Sequence, residues 1–356
     1  VKPYIKGRGS QLNPSNKFHR SSEEIYIEDL ATDEEREALL TQNPKTKFIE
    51  VFPKTLVNEV PSPDIGLPLN INPYQGCEHG CIYCYARNTH EYWGYSAGTD
   101  FEQNILVKKS APDLLRKELN KPNWEVRPIL IAGNTDCYQP IERKLKITRA
   151  LLEVFQEFKH PLGVITKNSM VERDIDILQQ LASENLARVT MSLTTLDETL
   201  KRIMEPRTSS VRQVLRTIRA LSDAGIPVNV NVSPLIPGIN HHEVFDIVKA
   251  VADAGAISAG YIVVRLNGQT AAIFEDWLMK NFPERVNKVL HQIKDLHDGN
   301  LNDSKFGRRM KGEGKLAEII AQQFTLARNK FMKGRTIPPY NNTLFVNDSK
   351  RQMKLF

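Results

Sequence analysis

From Leu69 onward, short apolar runs of strand length alternate with stretches in which apolar residues recur at helical spacing. The runs are LNIN (69–72), PILIA (128–132), LGVIT (162–166), ARVTMSL (187–193), PVNVNV (227–232) and GYIVV (260–264), with a further candidate strand at NILVK (104–108). Between them, Leu145, Thr148, Leu151, Leu152 and Phe155 fall on one helix face, as do Val211, Val214, Leu215, Ile218 and Leu221 before a stop at Gly225. Val244, Ile247, Val248 and Val251, ending at Gly255, repeat the form. Read as unbroken apolar runs, the six strands predict a parallel sheet covered by helices. Six units rather than eight predict an α/β fold of the open, partial (β/α)6 barrel type. After Gly268 helices take over, around 270–297 and 313–332.

The chain accordingly divides into an N-terminal extension (1–59), the barrel (60–275), a helical basic C-terminal region (276–335) and a Pro- and Asn-rich tail (336–356) that reads as extended or mobile. With 40% hydrophobic and 25% charged residues over 356 positions, a packed core is expected and wholesale disorder is excluded. No apolar run approaches the roughly 18 residues needed to cross a bilayer, which excludes a helical membrane protein. The first twenty residues hold no apolar core of a secretion signal, and a start at Val1 reads as trimmed. The net charge of +6 is uneven, because residues 305–356 carry twelve Lys or Arg against three acids. That stretch, KFGRRMKGEGKLAEIIAQQFTLARNKFMKGR at 305–335, and the GRG and Lys/Arg of residues 2–20 are candidates for phosphate contact, with a plain solvated basic surface as the alternative.

Candidate chemistry lies in NINPYQGCEHGCIYCYARN, where Cys77, Cys81 and Cys84 are spaced C-x3-C-x2-C directly after the first barrel strand. Three of four cysteines within eight residues indicate a metal site in a reducing, cytoplasmic setting rather than a disulfide scaffold. A loop after a barrel strand opens on the C-terminal mouth, where such barrels hold their chemistry. Thiolates suit zinc or an iron-sulfur cluster. Zinc would take His79 or His90 as a fourth ligand. Three cysteines without a fourth partner suit a four-iron four-sulfur cluster with one iron open.

With its Tyr83 in the aromatic position of C-x3-C-x-aromatic-C, the chain resembles the radical S-adenosylmethionine (SAM) superfamily, and within it the spore photolyase-like group. The stretches that carry this resemblance are GNTDCYQPIERKLKITRALLE (133–153), VITKNSMVERDIDIL (164–178), SLTTLD (192–197), EPRT (205–208) and SPLIPGIN (233–240). It implies reductive cleavage of SAM to methionine and a 5′-deoxyadenosyl radical. Gly133, Asn134 and Thr135 stand where the superfamily receives the SAM amino group, although GNTD replaces the commoner Gly-Gly-Glu. Lys167 matches a lysine that meets the SAM carboxylate, and Ser192 a serine with a similar task. Asp136 and Cys137 are the catalytic candidates. Cys137 shares its loop with the group's hydrogen-donating cysteine but is offset by four positions, so a small structural residue is the competing reading.

Asp136, Tyr138, Gln139 and Glu142 form a polar cluster that either faces substrate or enters a helix. Tyr92, Trp93 and Tyr95 either stack a base or pack a lid. The resemblance implies DNA repair or lyase-type modification of nucleic acid, with an electron donor as partner. Radical modification of a small molecule or protein, and a non-catalytic DNA-associated zinc module, are the alternatives. Finally, Gln352-Met353-Lys354-Leu355-Phe356 resembles the peptides by which bacterial repair proteins bind the sliding clamp.

Overall fold

The computed structural model describes residues 4–18 and 45–347. Its ten strands are β1 (Lys47–Glu50), β2 (Asn58–Glu59), β3 (Leu69–Ile71), β4 (Tyr74–Gln75), β5 (Asn104–Val107), β6 (Ile129–Ile131), β7 (Leu162–Thr166), β8 (Ala187–Ser192), β9 (Val228–Leu235) and β10 (Ser258–Val263). Seven of them form one sheet in the order β10-β9-β8-β7-β6-β3-β2. The five junctions from β3 to β10 are all parallel, and β2 pairs antiparallel on the β3 edge. Because β10 and β2 are not bonded to each other, the barrel stays open, as the six-unit count predicts. The extra strand expected at 104–108 is real but belongs elsewhere: β5 lies between β1 and β4 in a separate three-stranded sheet beside the cysteine loop.

The strands are not the unbroken apolar runs of the sequence reading. Along β9 burial alternates, with Val228, Val230 and Val232 fully buried and Asn229, Asn231 and Ser233 between them partly exposed. The apolar set faces the helices. Asn229 instead joins Arg188 and Thr190, with the apolar Leu67, Leu130 and Ile337, around a partly open cavity of about 230 Å³. A polar lumen is compatible with parallel strands because only their outer face is sealed by helices, each fully buried Val, Leu or Ile contributing about 1.5–3 kcal/mol. The Val211–Asp223 helix shows how local sequence fixes these elements. Ser210 and Gln213 form a reciprocal capping box at its start, while Val214, Ile218 and Leu221 are buried.

Packing changes the picture of both termini. Part of the N-terminal basic patch is taken up by the fold, since Arg8 is only 3% exposed and donates to the Glu102 carbonyl and to Thr46. The tail is ordered through 347: Tyr340 lies under the Arg188 guanidinium at 3.7 Å, Phe345 stacks on Phe158, and Asn347 donates to the carbonyls of Leu119 and Lys121. The sliding-clamp segment 352–356 lies outside the described residues.

The basic stretch at 305–311 is largely consumed by the fold. Arg309 and the Gly307 amide bind Asp64 at 2.6 and 2.7 Å, Arg308 pairs with Asp303 and Glu313, and Lys311 donates to the Tyr261 carbonyl. Met310 also accepts from the Val263 amide. The segment therefore bridges the β10 edge to the β2–β3 connection, across the seam that the strands leave open.

Candidate active site

The loop after β3 carries all three clustered cysteines. Cys77 and Cys81 are 7% exposed, and burial pushes both thiols well above their ordinary range. Cys84 is shifted the same way by burial, with the Arg87 guanidinium opposing it. Each thiol lies within electrostatic reach of the others. No three His, Cys, Asp or Glu side chains among the described residues close on a single ion. This donor set, three soft and desolvated sulfurs that need positive charge to ionise, fits a cluster of several irons better than one zinc. Among the described residues neither candidate histidine closes on the thiols as a fourth zinc ligand. His79 is turned to Asp136 (Nδ1 to Oδ2, 3.4 Å) and Asn168 (3.3 Å), and His90 is sandwiched by Tyr95 and Phe101 at ring distances of 5.1 and 5.5 Å.

Buried polar groups on both sides hold this loop. Arg87, fully buried, donates to the Cys81 carbonyl at 3.0 Å and to Glu102 at 2.5 Å. The Glu102 carboxylate also accepts the amides of Gly9 (3.0 Å) and Ser10 (2.8 Å), so the N-terminal segment is laid directly on the cysteine loop. Gln139 grips the loop from the other side, donating to the Gly76 carbonyl and accepting the Glu78 amide. At Gly9 a Cβ would stand 1.6 Å from the Gly80 carbonyl oxygen, so the backbones approach too closely for any side chain. We expect Gly9→Ala to lower stability by about 1–3 kcal/mol, as overpacking does, and to lower iron retention measured as irons per chain after desalting. Unchanged melting temperature and iron content would contradict this buttress.

The polar residues expected at the mouth converge there. Asn72 accepts the amides of Asn134 (2.8 Å) and Thr135 (3.3 Å), and Tyr85 donates to the Gly133 carbonyl. Ala132 carries a left-handed φ of 72°, the turn that sends the chain from β6 into this loop. Ser192 ends β8 at the same rim and is 6% exposed.

Asp136 does not present a free carboxylate. Its oxygens accept from the Tyr138 amide (2.8 Å), the Thr166 hydroxyl (2.7 Å) and the Lys167 amide (2.8 Å). Burial would raise its pKa, but His79 and these donors outweigh burial and lower it. Cys137 is fully buried in the main core, and its thiol is pushed up by that burial. Nor does the rest of the 136–142 cluster face outward: Tyr138 donates to Asp174, and Glu142 accepts from Tyr74, Thr148 and Arg173.

Glu205, from the EPRT stretch, is the residue that sequence reasoning passed over. Fully enclosed, it accepts from Lys167 (3.0 Å), Thr194 (2.5 Å), Lys201 (2.5 Å) and the Tyr83 hydroxyl. Burial pushes its carboxyl up and the Lys201 ammonium down, and the 2.5 Å contact between the two opposes both shifts. Lys167 is lowered by burial as well, with the thiols of Cys81, Cys84 and Cys77 and the Asp136 carboxylate opposing it. Tyr83 thus points its hydroxyl into this knot, with Lys167 5.6 Å over its ring. Of the three aromatics beyond the cysteines, Tyr95 packs on His90, while Tyr92 and Trp93 are 74% and 43% exposed.

Comparison with known proteins agrees with this geometry. The radical SAM superfamily model matches residues 71–251. An uncharacterized protein of Mycobacterium tuberculosis is 32% identical over 245 residues, spanning 68% of this chain and 72% of its own. A radical SAM Nα-GlyT isomerase of Pseudomonas phage M6 is 26% identical over 194 residues, 54% of this chain and 38% of that one. Spore photoproduct lyase complexed with dinucleoside spore photoproduct shares the fold at a TM-score of 0.58 and 17% identity, over 81% of this chain and 80% of that one. Among the described residues no helix is long and apolar enough to cross a membrane. With a three-cysteine loop at the mouth of an open parallel barrel and a family match over half its length, the chain belongs to the radical SAM superfamily, enzymes that use a four-iron four-sulfur cluster and SAM.

Proposed function

We propose that this enzyme modifies or repairs nucleic acid, using a radical made from SAM at the barrel mouth. The observation that supports it is the fold shared over about four-fifths of both chains with an enzyme solved with a dinucleoside photoproduct. In this reading Cys77, Cys81 and Cys84 hold three irons. The reduced cluster, when bound, supplies the electron that splits the SAM sulfonium into methionine and a 5′-deoxyadenosyl radical. Gly133, Asn134, Thr135 and Ser192 line the SAM seat. Lys167, held in place by Glu205 and Thr194, directs its ammonium toward the SAM carboxylate. Asp136 is a positioning residue that ties the β6 loop to the β7 end and to His79. Cys137 packs the wall rather than donating hydrogen, because its thiol is enclosed in the core.

Lys167→Ala should weaken SAM binding by about 1.5–3 kcal/mol, as for a lost hydrogen bond to a charged group, with iron content unchanged. An unaltered SAM dissociation constant by calorimetry would remove Lys167 from the seat. Substrate class is tested by anaerobic turnover with SAM and reductant, adding DNA, RNA or nuclease-treated cell extract in parallel. Excess 5′-deoxyadenosine with DNA or RNA is the expected result. Excess with the nuclease-treated extract alone would assign the radical to a small molecule or protein.

A further inference from the structure

Three successive βα loops, following β6, β7 and β8, meet beside the cysteine loop around a second cleft of about 340 Å³. Its lining is Pro140 and Arg143 from the first loop, Asn168, Ser169 and Met170 from the second, and Arg207, Thr208, Ser209 and Gln213 from the third. Loops that follow strands of a parallel barrel open on its C-terminal face, so the cleft shares the mouth's rim with the candidate SAM seat. The cleft wall is continuous with that seat. Asn168 and Ser169 directly follow Lys167, and the Ser209 amide approaches the Lys167 carbonyl at 3.4 Å.

The chemistry of the lining is one-sided. Two guanidiniums, three hydroxyls, two side-chain amides and no carboxylate line the cleft. Arg143 is exposed and forms no ion pair with the described residues. Arg207 reaches the Gly7 carbonyl through Nε and is 3.4 Å from Glu78, which is itself buried and accepts the Ile141 amide. Ser169 and Ser209 are fixed against each other, with the Ser169 amide donating to the Ser209 hydroxyl at 2.7 Å and the two hydroxyls 3.0 Å apart. Donors and positive charge, with Arg143 unpaired and no carboxylate in the lining itself, form a seat for an oxyanion, and a guanidinium is the side chain best matched to phosphate.

We infer that this cleft seats a backbone phosphate of the polynucleotide substrate, holding the strand at the rim while the reacting nucleotide enters the mouth. The inference rests on the nucleic-acid reading above and adds to it a docking point and its residues. It also differs from the basic segment at 305–311, whose Arg308 and Arg309 are paired within the fold.

The test uses full-length reconstituted protein and a fluorescein-labelled single-stranded DNA, with anisotropy titrations from low to moderate salt. Two variants are informative. Arg143→Ala removes an unpaired charge, and Gln213→Glu places a negative charge at the cleft while keeping the capping box that starts the Val211–Asp223 helix. Each should weaken DNA binding roughly three- to tenfold near 0.1 M salt, and Arg143→Ala should reduce the salt slope by about 0.7, the change expected for one lost phosphate contact on a single strand. SAM cleavage without DNA should be unaltered. Wild-type affinity and slope in both variants would overturn the docking point while leaving the nucleic-acid reading standing, whereas failure of the wild-type protein to bind any DNA or RNA would overturn both. A parallel titration with inorganic phosphate separates the sources. Saturable phosphate binding lost in Arg143→Ala, with DNA binding unchanged, would assign the cleft to a free anion and also overturn the inference.

Discussion

Cys81→Ala, reconstituted anaerobically with iron and sulfide, should lose the brown cluster absorbance and reduce SAM cleavage to the uncatalysed background. Cys81 is the middle cysteine of the loop, 7% exposed, and its carbonyl is held by Arg87. Its thiol is pushed up by burial and the nearby Glu205 carboxylate, with Lys167 and Lys201 opposing. Removing it leaves two thiols for a cluster that requires three protein ligands to stay bound with one iron open. The paired measurement is iron per chain and 5′-deoxyadenosine by chromatography. A variant with full iron and wild-type cleavage would remove Cys81 from the ligand set.

Glu205→Ala should be the most destabilising single change in the barrel, at about 3–5 kcal/mol, because it leaves buried charge without its counterion. Lys201 is 2% exposed and Lys167 16% exposed by side chain, and both ammoniums lie within 3.0 Å of the Glu205 carboxylate. Tyr83 and Thr194 share the same carboxylate. Glu205→Gln keeps the shape and loses the charge, so its cost should fall between the wild type and Ala. Chemical denaturation reads the difference, and a loss under about 1 kcal/mol for Ala would show that the lysines are stabilised by something other than Glu205.

These two positions illustrate what was legible in the chain. Cys77, Cys81 and Cys84 stand out because sulfur ligands crowded in one loop have few other uses, and their place after a strand fixes them at the mouth. The strand positions were equally readable, since β3 and β6 through β10 each coincide with an apolar run within about three residues. Glu205 was not readable. An acid before a proline has no local signature of burial, and its partners lie at positions 83, 167, 194 and 201, brought together only by the tertiary fold.

The termini misled for a related reason. GRG at 7–9 and KFGRRMK at 305–311 carry charge that composition assigns to solvent or phosphate. In the fold their glycines permit close backbone approach, at Gly9 against Gly80, and the nearby arginines and amides meet Glu102, Asp303 and Asp64. The alternation of Val and Asn along 228–231 was visible but was read as one apolar run, which hid the polar lumen. One signal for that lumen was present, because Asn70, Asn72, Asn229 and Asn231 recur at a period of two within otherwise apolar strands and their margins.

The central claim is that the radical made from SAM takes hydrogen from nucleic acid, and isotope transfer measures it most directly. Protein is incubated anaerobically with reductant, unlabelled SAM and DNA or RNA isolated from cells grown in heavy water, and the nucleosides and SAM are analysed by mass spectrometry. The account predicts deuterium at the 5′ carbon of 5′-deoxyadenosine, or of recovered SAM if the cofactor is regenerated, with none acquired by the Cys81→Ala protein. Abundant but unlabelled 5′-deoxyadenosine with every deuterated nucleic acid supplied, alongside label from a deuterated nuclease-treated extract, would contradict it.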